Sequence, residues 1–218
     1  AYGVAADLLQ AGVKVVAILD TRDTVPENAR ALVPGITIHP GSVVTEVLWR
    51  RKLKGVRAAS GGKTHTIHCD LLAQSGGWNP AVHLWSQSRG GLRYDPSLAS
   101  FRPDAPAQAC RSVGAANGDL TLDTILPGGE ELPYAIEPLW HVEHSMGKAF
   151  VDTLNDVTLG DLHRALREGY DNIEHVKRYT TAGMGLDQGK TGNINVIGAV
   201  AQAQGRPLDE VGTTTFRS

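Results

Sequence analysis

Thiols are scarce in this chain. Only Cys69 and Cys110 carry one in 218 residues, too few for a disulfide framework or for any site built from four thiolates. Both read as ordinary buried thiols. An excess of one charge is lacking as well: 21 Lys and Arg stand against 23 Asp and Glu, a formal charge of −2. No global basic field is available to hold nucleic acid or an anionic membrane, so neither partner is expected. No apolar run approaches the ~20 residues of a membrane span, and Asp7 and Lys14 interrupt the one N-terminal stretch that could pass for a signal peptide. A cytoplasmic setting is the expectation. The chain opens on Ala1 in a helical pattern and stops at Ser218 without terminal punctuation, which reads as a piece of something longer. Apolar residues are plentiful, at 41%, enough for the core of one large domain or two small ones.

Periodicity sets out the order of elements. Val4, Ala5, Leu8 and Leu9 fall on one helical face over residues 2–11, and Gly12 stops that helix. Val13, Val15, Val16, Ala17, Ile18 and Leu19 form an apolar run closing on Asp20, the pattern of a parallel strand covered on both faces. Segments 36–39, 43–49, 53–59 and 63–68 alternate about turns at Pro40-Gly41 and Ser60-Gly61-Gly62, which predicts an antiparallel meander. Cys69 to Ser75 reads as one more strand, ending in Gly76-Gly77-Trp78-Asn79-Pro80. Prolines then concentrate between Pro80 and Pro138, so loops dominate there around a small-residue element from Val113 to Gly118. After Lys148 helical signals return. Thr158 with Asp161 forms a capping box ahead of Leu159, Leu162, Ala165 and Leu166; Asn172 opens a second helix ending near Gly183; Asn193 opens a third, halted by Gly205 and Pro207. The expected fold is α/β, with a partial Rossmann-like domain at 1–130, a connector at 131–147, a helical module at 148–206 and a linker at 207–218.

Several residues invite a chemical reading. Asp20, at a strand end, suits either a ribose hydroxyl or a plain loop carboxylate. Gly189-Lys190-Thr191 lacks the glycine five residues earlier that a phosphate loop requires, because Met184 stands there, so a nucleotide triphosphatase is excluded. Lys177, Arg178 and Lys190 with nearby loop amides form either a local anion site or a solvated basic turn. His141, Glu143 and His144 lack a third metal ligand at a known spacing, and no metal site is expected. No Ser/His/Asp or Cys/His arrangement can be argued, so no catalytic residue is assigned. Gly114, Ala115, Ala116, Asn117 and Gly118 can let a cofactor approach the backbone, with amides of a following helix at 120–125 turned toward it. A tight strand-to-helix turn would use the same residues. The glycine turn of Gly76, Gly77, Trp78 and Asn79 adds weight to the cofactor reading.

The layout of strands, meander and VGAANG turn resembles the C-terminal part of dinucleotide domains in the pyridine nucleotide-disulfide reductase superfamily. Longer strings are more specific: CDLLAQSGGWNPAVHLWSQSRG from Cys69, ACRSVGAANG from Ala109, KAFVDTLNDVT from Lys148, EHVKRYTTAGMGLDQGKTGN from Glu174 and GTTTFR from Gly212. Together they resemble the α subunits of heterotetrameric sarcosine oxidases. That resemblance implies an oxidoreductase that demethylates sarcosine to glycine, passes the one-carbon unit to tetrahydrofolate and forms hydrogen peroxide. It implies NAD on the α subunit, FMN where α meets β, FAD on the β subunit, γ and δ subunits as further partners, and a folate domain after GTTTFR. A segment of this kind would be inactive alone.

The helical module resembles bacterioferritin-associated ferredoxin domains, in which four cysteines hold a [2Fe-2S] cluster. The corresponding positions here are Asp152, Leu154, Asp187 and Gly192, none a thiolate. The resemblance therefore implies a retained fold without a cluster, and Arg178, Thr180, Thr181 and Lys190 as contacts to a flavin phosphate. Gly114 and Asn117 would face the dinucleotide, although Ala115 stands where related reductases have an acid. The alternatives are a related opine or amino-acid dehydrogenase subunit, or a scaffold with degenerate cofactor motifs.

Overall fold

The computed structural model describes residues 1–120, 136–143, 145 and 147–214. Two compact units divide it: Ala1–Gly77 with Val142–Gly147, and Trp78–His141 with Lys148–Ser218.

The first unit begins with α1 (Tyr2–Gln10), which ends as its sequence predicts: Gly12 donates to the Leu9 carbonyl and Val13 to the Leu8 carbonyl, with Gly12 at φ +78°. The strand that follows is much shorter than the apolar run suggests. Only Ala17–Leu19 forms β1, pairing in parallel with β2 (Thr37–His39) after the short helix α2 (Glu27–Ala31). Val13 and Val16 are exposed and Ile18 alone in β1 is buried. Burial on both faces requires neighbouring strands and covering helices, and among the described residues β1 pairs with β2 only. The meander forms as expected from β3 (Ser42–Trp49), β4 (Leu53–Ser60) and β5 (Lys63–Ile67), antiparallel in the order β3-β4-β5. Segment 37–39 leaves the meander to join β1. The strand expected over Cys69 to Ser75 does not form: residues 71–81 have no regular structure, and Leu71 is exposed. Cys69 is only half-buried and Cys110 is exposed, so neither is a core thiol.

The second unit contains α3 (His83–Gln87), the hairpin β6 (Leu92–Asp95) and β7 (Ser100–Pro103), a 3₁₀ turn at Gly114–Asn117, and the ribbon β8 (Phe150–Asp152) and β9 (Val157–Thr158). Helices α4 (Leu159–Arg167), α5 (Ile173–Thr180), α6 (Asn193–Gln204) and α7 (Leu208–Val211) complete it. Thr158 caps α4 in a full capping box with Asp161, and Asn172 caps α5 by accepting from the Glu174 amide at 2.9 Å. Asn193 begins α6 but spends its side chain elsewhere, donating to the Thr214 hydroxyl at 2.7 Å.

Leu162, Ala165, Val176 and Val200 are fully buried at the centre of this unit. Phe101 of β7 belongs to the same core, with Leu92 and Tyr94 of β6 packed against it and the Tyr94 and Phe101 rings edge-on at 5.5 Å. This packing joins the 92–103 hairpin to the helices within the second unit. Trp140 lies against Gly198 in the middle of α6, where a Cβ would run into the indole ring.

Candidate functional site

Two turns of the second unit, one after α5 and one before α6, carry Thr180, Thr181 and Lys190. The first is held by a carboxylate. Asp152, at the end of β8, is 8% exposed; its Oδ1 accepts from the amides of Leu154 at 2.9 Å and Asn155 at 3.3 Å, and its Oδ2 accepts from the Gly183 amide at 2.8 Å. Asn155 donates to the Thr181 carbonyl at 3.1 Å, tying the same two segments a second time. Thr181 ends α5 in the left-handed region at φ +65°, and the Thr180 hydroxyl donates back to the Val176 carbonyl at 2.8 Å.

The second turn closes on Asp187. Its Oδ1 accepts from the Gly189 amide at 3.0 Å, and its Oδ2 accepts from the Thr191 amide at 3.3 Å and from the Thr191 hydroxyl. Burial acts to raise the Asp187 carboxyl, but these hydrogen bonds and the Lys190 charge outweigh it and hold it below the ordinary carboxylate range. The two turns meet around Asn193: a Cβ on Gly183 or on Gly189 would collide with the Asn193 amide, and one on Gly183 would also come within 3.3 Å of the Gly189 Cα.

Lys190 is exposed at this surface. Its charge reaches His83 of α3, and burial first, then that charge, pushes the His83 pKa down. Arg178 is directed to Glu174 at 3.2 Å along the exposed face of α5. Leu154, Met184 and Leu186 are exposed beside the turns, Leu186 almost completely, so the basic group sits next to an apolar rim. The arrangement can receive an anion at Lys190 against a backbone fixed by two carboxylates. Of the positions matched to cluster ligands, Asp152 and Asp187 accept main-chain N–H groups, and Leu154 and Gly192 have no donor atom in their side chains. This set does not fit an iron–sulfur cluster.

The Gly114–Asn117 turn differs from its expected setting. No strand precedes it, and the helix expected over 120–125 lies almost wholly outside the described residues. Gly118 is buried at φ +91°, and what approaches it is protein: an added Cβ would meet Arg102 Nε at 2.7 Å and Leu98 at 2.9 Å. Arg102 donates to the Asn117 carbonyl at 2.7 Å and pairs with Asp95 at 3.0 Å, while Asn117 donates its side-chain amide to Asp119 at 3.1 Å. Ala115 is exposed, with Gly114 and Ala116 half-buried. Gly76 and Gly77 close the first unit, and Trp78 and Asn79 open the second; all four are exposed.

Asp20 is committed to protein groups. It is buried, accepts from the Tyr2 hydroxyl at 2.7 Å and forms a two-pronged pair with Arg22 at 3.0 and 2.6 Å. This is the loop-carboxylate alternative for Asp20. His144 lies outside the described residues, and among those described no group of three or more His, Cys, Asp or Glu could hold a metal. Among them no helix is long and apolar enough to cross a membrane.

The sequence signal missed at this site is the pair Asp152 and Asn155, whose three-residue spacing suits a side chain that caps its own turn. Arg102 and His83 carried no local signal.

Comparison with known proteins completes the picture. Residues 146–218 match the family described as the Sarcosine oxidase A3 domain. Over 99% of its length the chain is 36% identical to the sarcosine oxidase subunit alpha of Rhizobium meliloti strain 1021, of which it covers 24%. It is 34% identical over its whole length to the subunit alpha of Corynebacterium sp. strain P-1, covering 27% of that protein, and 33% identical to that of strain U-96, covering 26%. The chain thus spans about a quarter of the length of these relatives. The crystal structure of L-proline dehydrogenase from P. horikoshii shares its fold over 93% of this chain and 47% of that one, at a TM-score of 0.57 and 21% identity. The likeness to sarcosine oxidase α subunits read from the strings therefore holds along the whole chain.

Proposed function

Proceeding from that likeness, we propose that this chain forms part of the α subunit of a heterotetrameric sarcosine oxidase. The observation carrying the proposal is identity of 33–36% to three such subunits across the chain, joined to the A3 domain match at 146–218. In this reading the whole enzyme oxidatively demethylates sarcosine, hands the one-carbon unit to tetrahydrofolate and forms hydrogen peroxide, with β, γ and δ subunits as partners and a cytoplasmic location. FAD and tetrahydrofolate would bind in parts outside this chain.

Residues 1–130 are proposed as part of a Rossmann-like dinucleotide domain, 131–147 as a connector, 148–206 as a ferredoxin-like module without its cluster, and 207–218 as a linker. The α1-β1-α2-β2 order with a parallel pair supports the first of these, and the capped helices with their carboxylate-held turns support the third. Bound flavin would supply the electron-acceptor chemistry. This chain's residues would bind and orient: Lys190 would hold a phosphate, with Thr180 and Thr181 assigned to the same anion and Arg178 able to exchange Glu174 for it. NAD is assigned to the Gly114–Gly118 turn, where Gly114, Ala115 and Ala116 offer backbone and Asn117 would trade Asp119 for a ribose hydroxyl; Gly76, Gly77, Trp78 and Asn79 are a separate candidate turn for a cofactor.

A second reading, a scaffold role for the turn, is favoured by one observation: Arg102 and Leu98 occupy the approach to Gly118. One preparation separates the two. The full natural chain is co-expressed with its candidate partner subunits, desalted, and assayed for released nucleotide and for sarcosine-dependent peroxide. Retained NAD and flavin with peroxide formation is expected. Flavin and peroxide without NAD would leave the scaffold reading for the turn, and no response to sarcosine in a flavin-loaded complex would overturn the main proposal.

A further inference from the structure

Buried carboxylates are costly unless their lone pairs are filled. Asp152 fills its own with main-chain N–H groups from two segments far apart in sequence: Leu154 and Asn155 on Oδ1, Gly183 on Oδ2, the last across 31 residues. The Asn155 side-chain amide lies 3.4 Å from the same Oδ2 and donates onward to the Thr181 carbonyl. The two oxygens therefore have separate duties. Oδ1 closes the local turn at 152–155, and Oδ2 fastens that turn to the one following α5. Thr181 needs such a fastening, because its left-handed φ of +65° is an unfavourable conformation for a β-branched residue.

We propose that Asp152 is a positioning residue: its Oδ2 fixes the Thr181–Gly183 turn, and through the Gly183–Asn193–Gly189 contact it sets where Lys190 is presented. The purpose of that presentation, flavin phosphate binding, rests on the function proposed above; the fastening itself does not. The division of labour between the oxygens makes the proposal testable by an isosteric change. Asp152→Asn keeps an acceptor for Leu154 and Asn155 when its Oδ1 stays in place. It then turns an amide donor toward the Gly183 N–H, which is already a donor.

Backbone amide exchange is followed in the full natural chain with its partner subunits, alongside flavin retention, for wild type, Asp152→Asn, Asp152→Ala and Lys190→Gln. In Asp152→Asn, exchange at Gly183 is expected to accelerate at least about tenfold while Leu154 keeps its protection; in Asp152→Ala both accelerate. Unchanged Gly183 exchange in Asp152→Ala, or in Asp152→Asn with Leu154 protection kept, overturns the fastening. Flavin loss in Lys190→Gln but not in a loosened Asp152→Asn overturns the positioning role. Altered exchange with flavin retained in both variants upholds the fastening and overturns instead the assignment of flavin phosphate to Lys190.

Discussion

The Tyr2 hydroxyl donates to Asp20 at 2.7 Å, fastening the first residue of α1 to the residue that follows β1. Tyr2 is 2% exposed and Asp20 is 8% exposed, so the bond is closed off from water and the Arg22 pair shares the same carboxylate. Burial, then the Asp20 carboxylate, pushes the Tyr2 phenol well above its ordinary range. Tyr2→Phe should lower stability by about 1.5–3 kcal/mol, the usual worth of a hydrogen bond to a charged group. Asp20→Ala should cost about 3–5 kcal/mol, since it removes the buried carboxylate to which both Tyr2 and Arg22 are bonded. Urea unfolding of the two variants checks both values, and a larger loss for Tyr2→Phe would contradict the shared-carboxylate account.

Acid should loosen the second unit through its depressed carboxylates. Burial acts to raise the Asp95 carboxyl, but the Ser97 hydroxyl, the Arg102 guanidinium and the Ser97 amide hold it below its ordinary 3.8, and Asp187 is depressed likewise. A carboxyl depressed on folding contributes stability that is full above its unfolded pKa and is lost as pH falls through the folded one. The urea midpoint should therefore drop progressively once pH passes below about 4. In Asp95→Asn and Asp187→Asn that slope should flatten, from a lower starting stability.

His83 reports on Lys190. Its pKa lies below the ordinary 6.5 through burial and the Lys190 charge, so the stability it contributes is full above 6.5 and declines as pH falls below it. Lys190→Gln removes the charge and leaves the burial. The His83 pKa followed by NMR should rise while staying under the ordinary value, and no change would place Lys190 too far away to act.

Gly198 tests the seat of Trp140. A methyl group there would collide with the indole, so Gly198→Ala should destabilise by about 1–3 kcal/mol despite alanine's better helix propensity. Trp140 emission should shift to the red. Retained stability with unchanged emission would show that the ring can move aside without loss.

What could be read from sequence was mostly what is decided within a few residues. Thr158 with Asp161, Asn172, Gly12 and Gly205 mark helix ends by local hydrogen bonding and backbone geometry, and α1, α4, α5 and α6 follow. The meander was legible for the same reason, since its turns join strands that are neighbours in sequence. Strand reading failed where pairing depends on distant chain: Cys69 to Ser75 has strand composition without a pairing strand, and Val13 to Val16 stay outside β1. At the candidate site, Lys190 and the threonines were legible as residue types. The role of Asp152 was not, because its decisive partner is Gly183, and Gly118 was read as open backbone when Arg102, 16 positions earlier in the numbering, already covers it.

Phe101 has a practical consequence. Because this ring from β7 is part of the core built by α4, α5 and α6, an expression fragment cut at the A3 boundary near residue 146 would carry a phenyl-sized hollow. Trp140 would be missing from Gly198 as well. A fragment starting at Trp78 retains both rings, and it is the piece to crystallise.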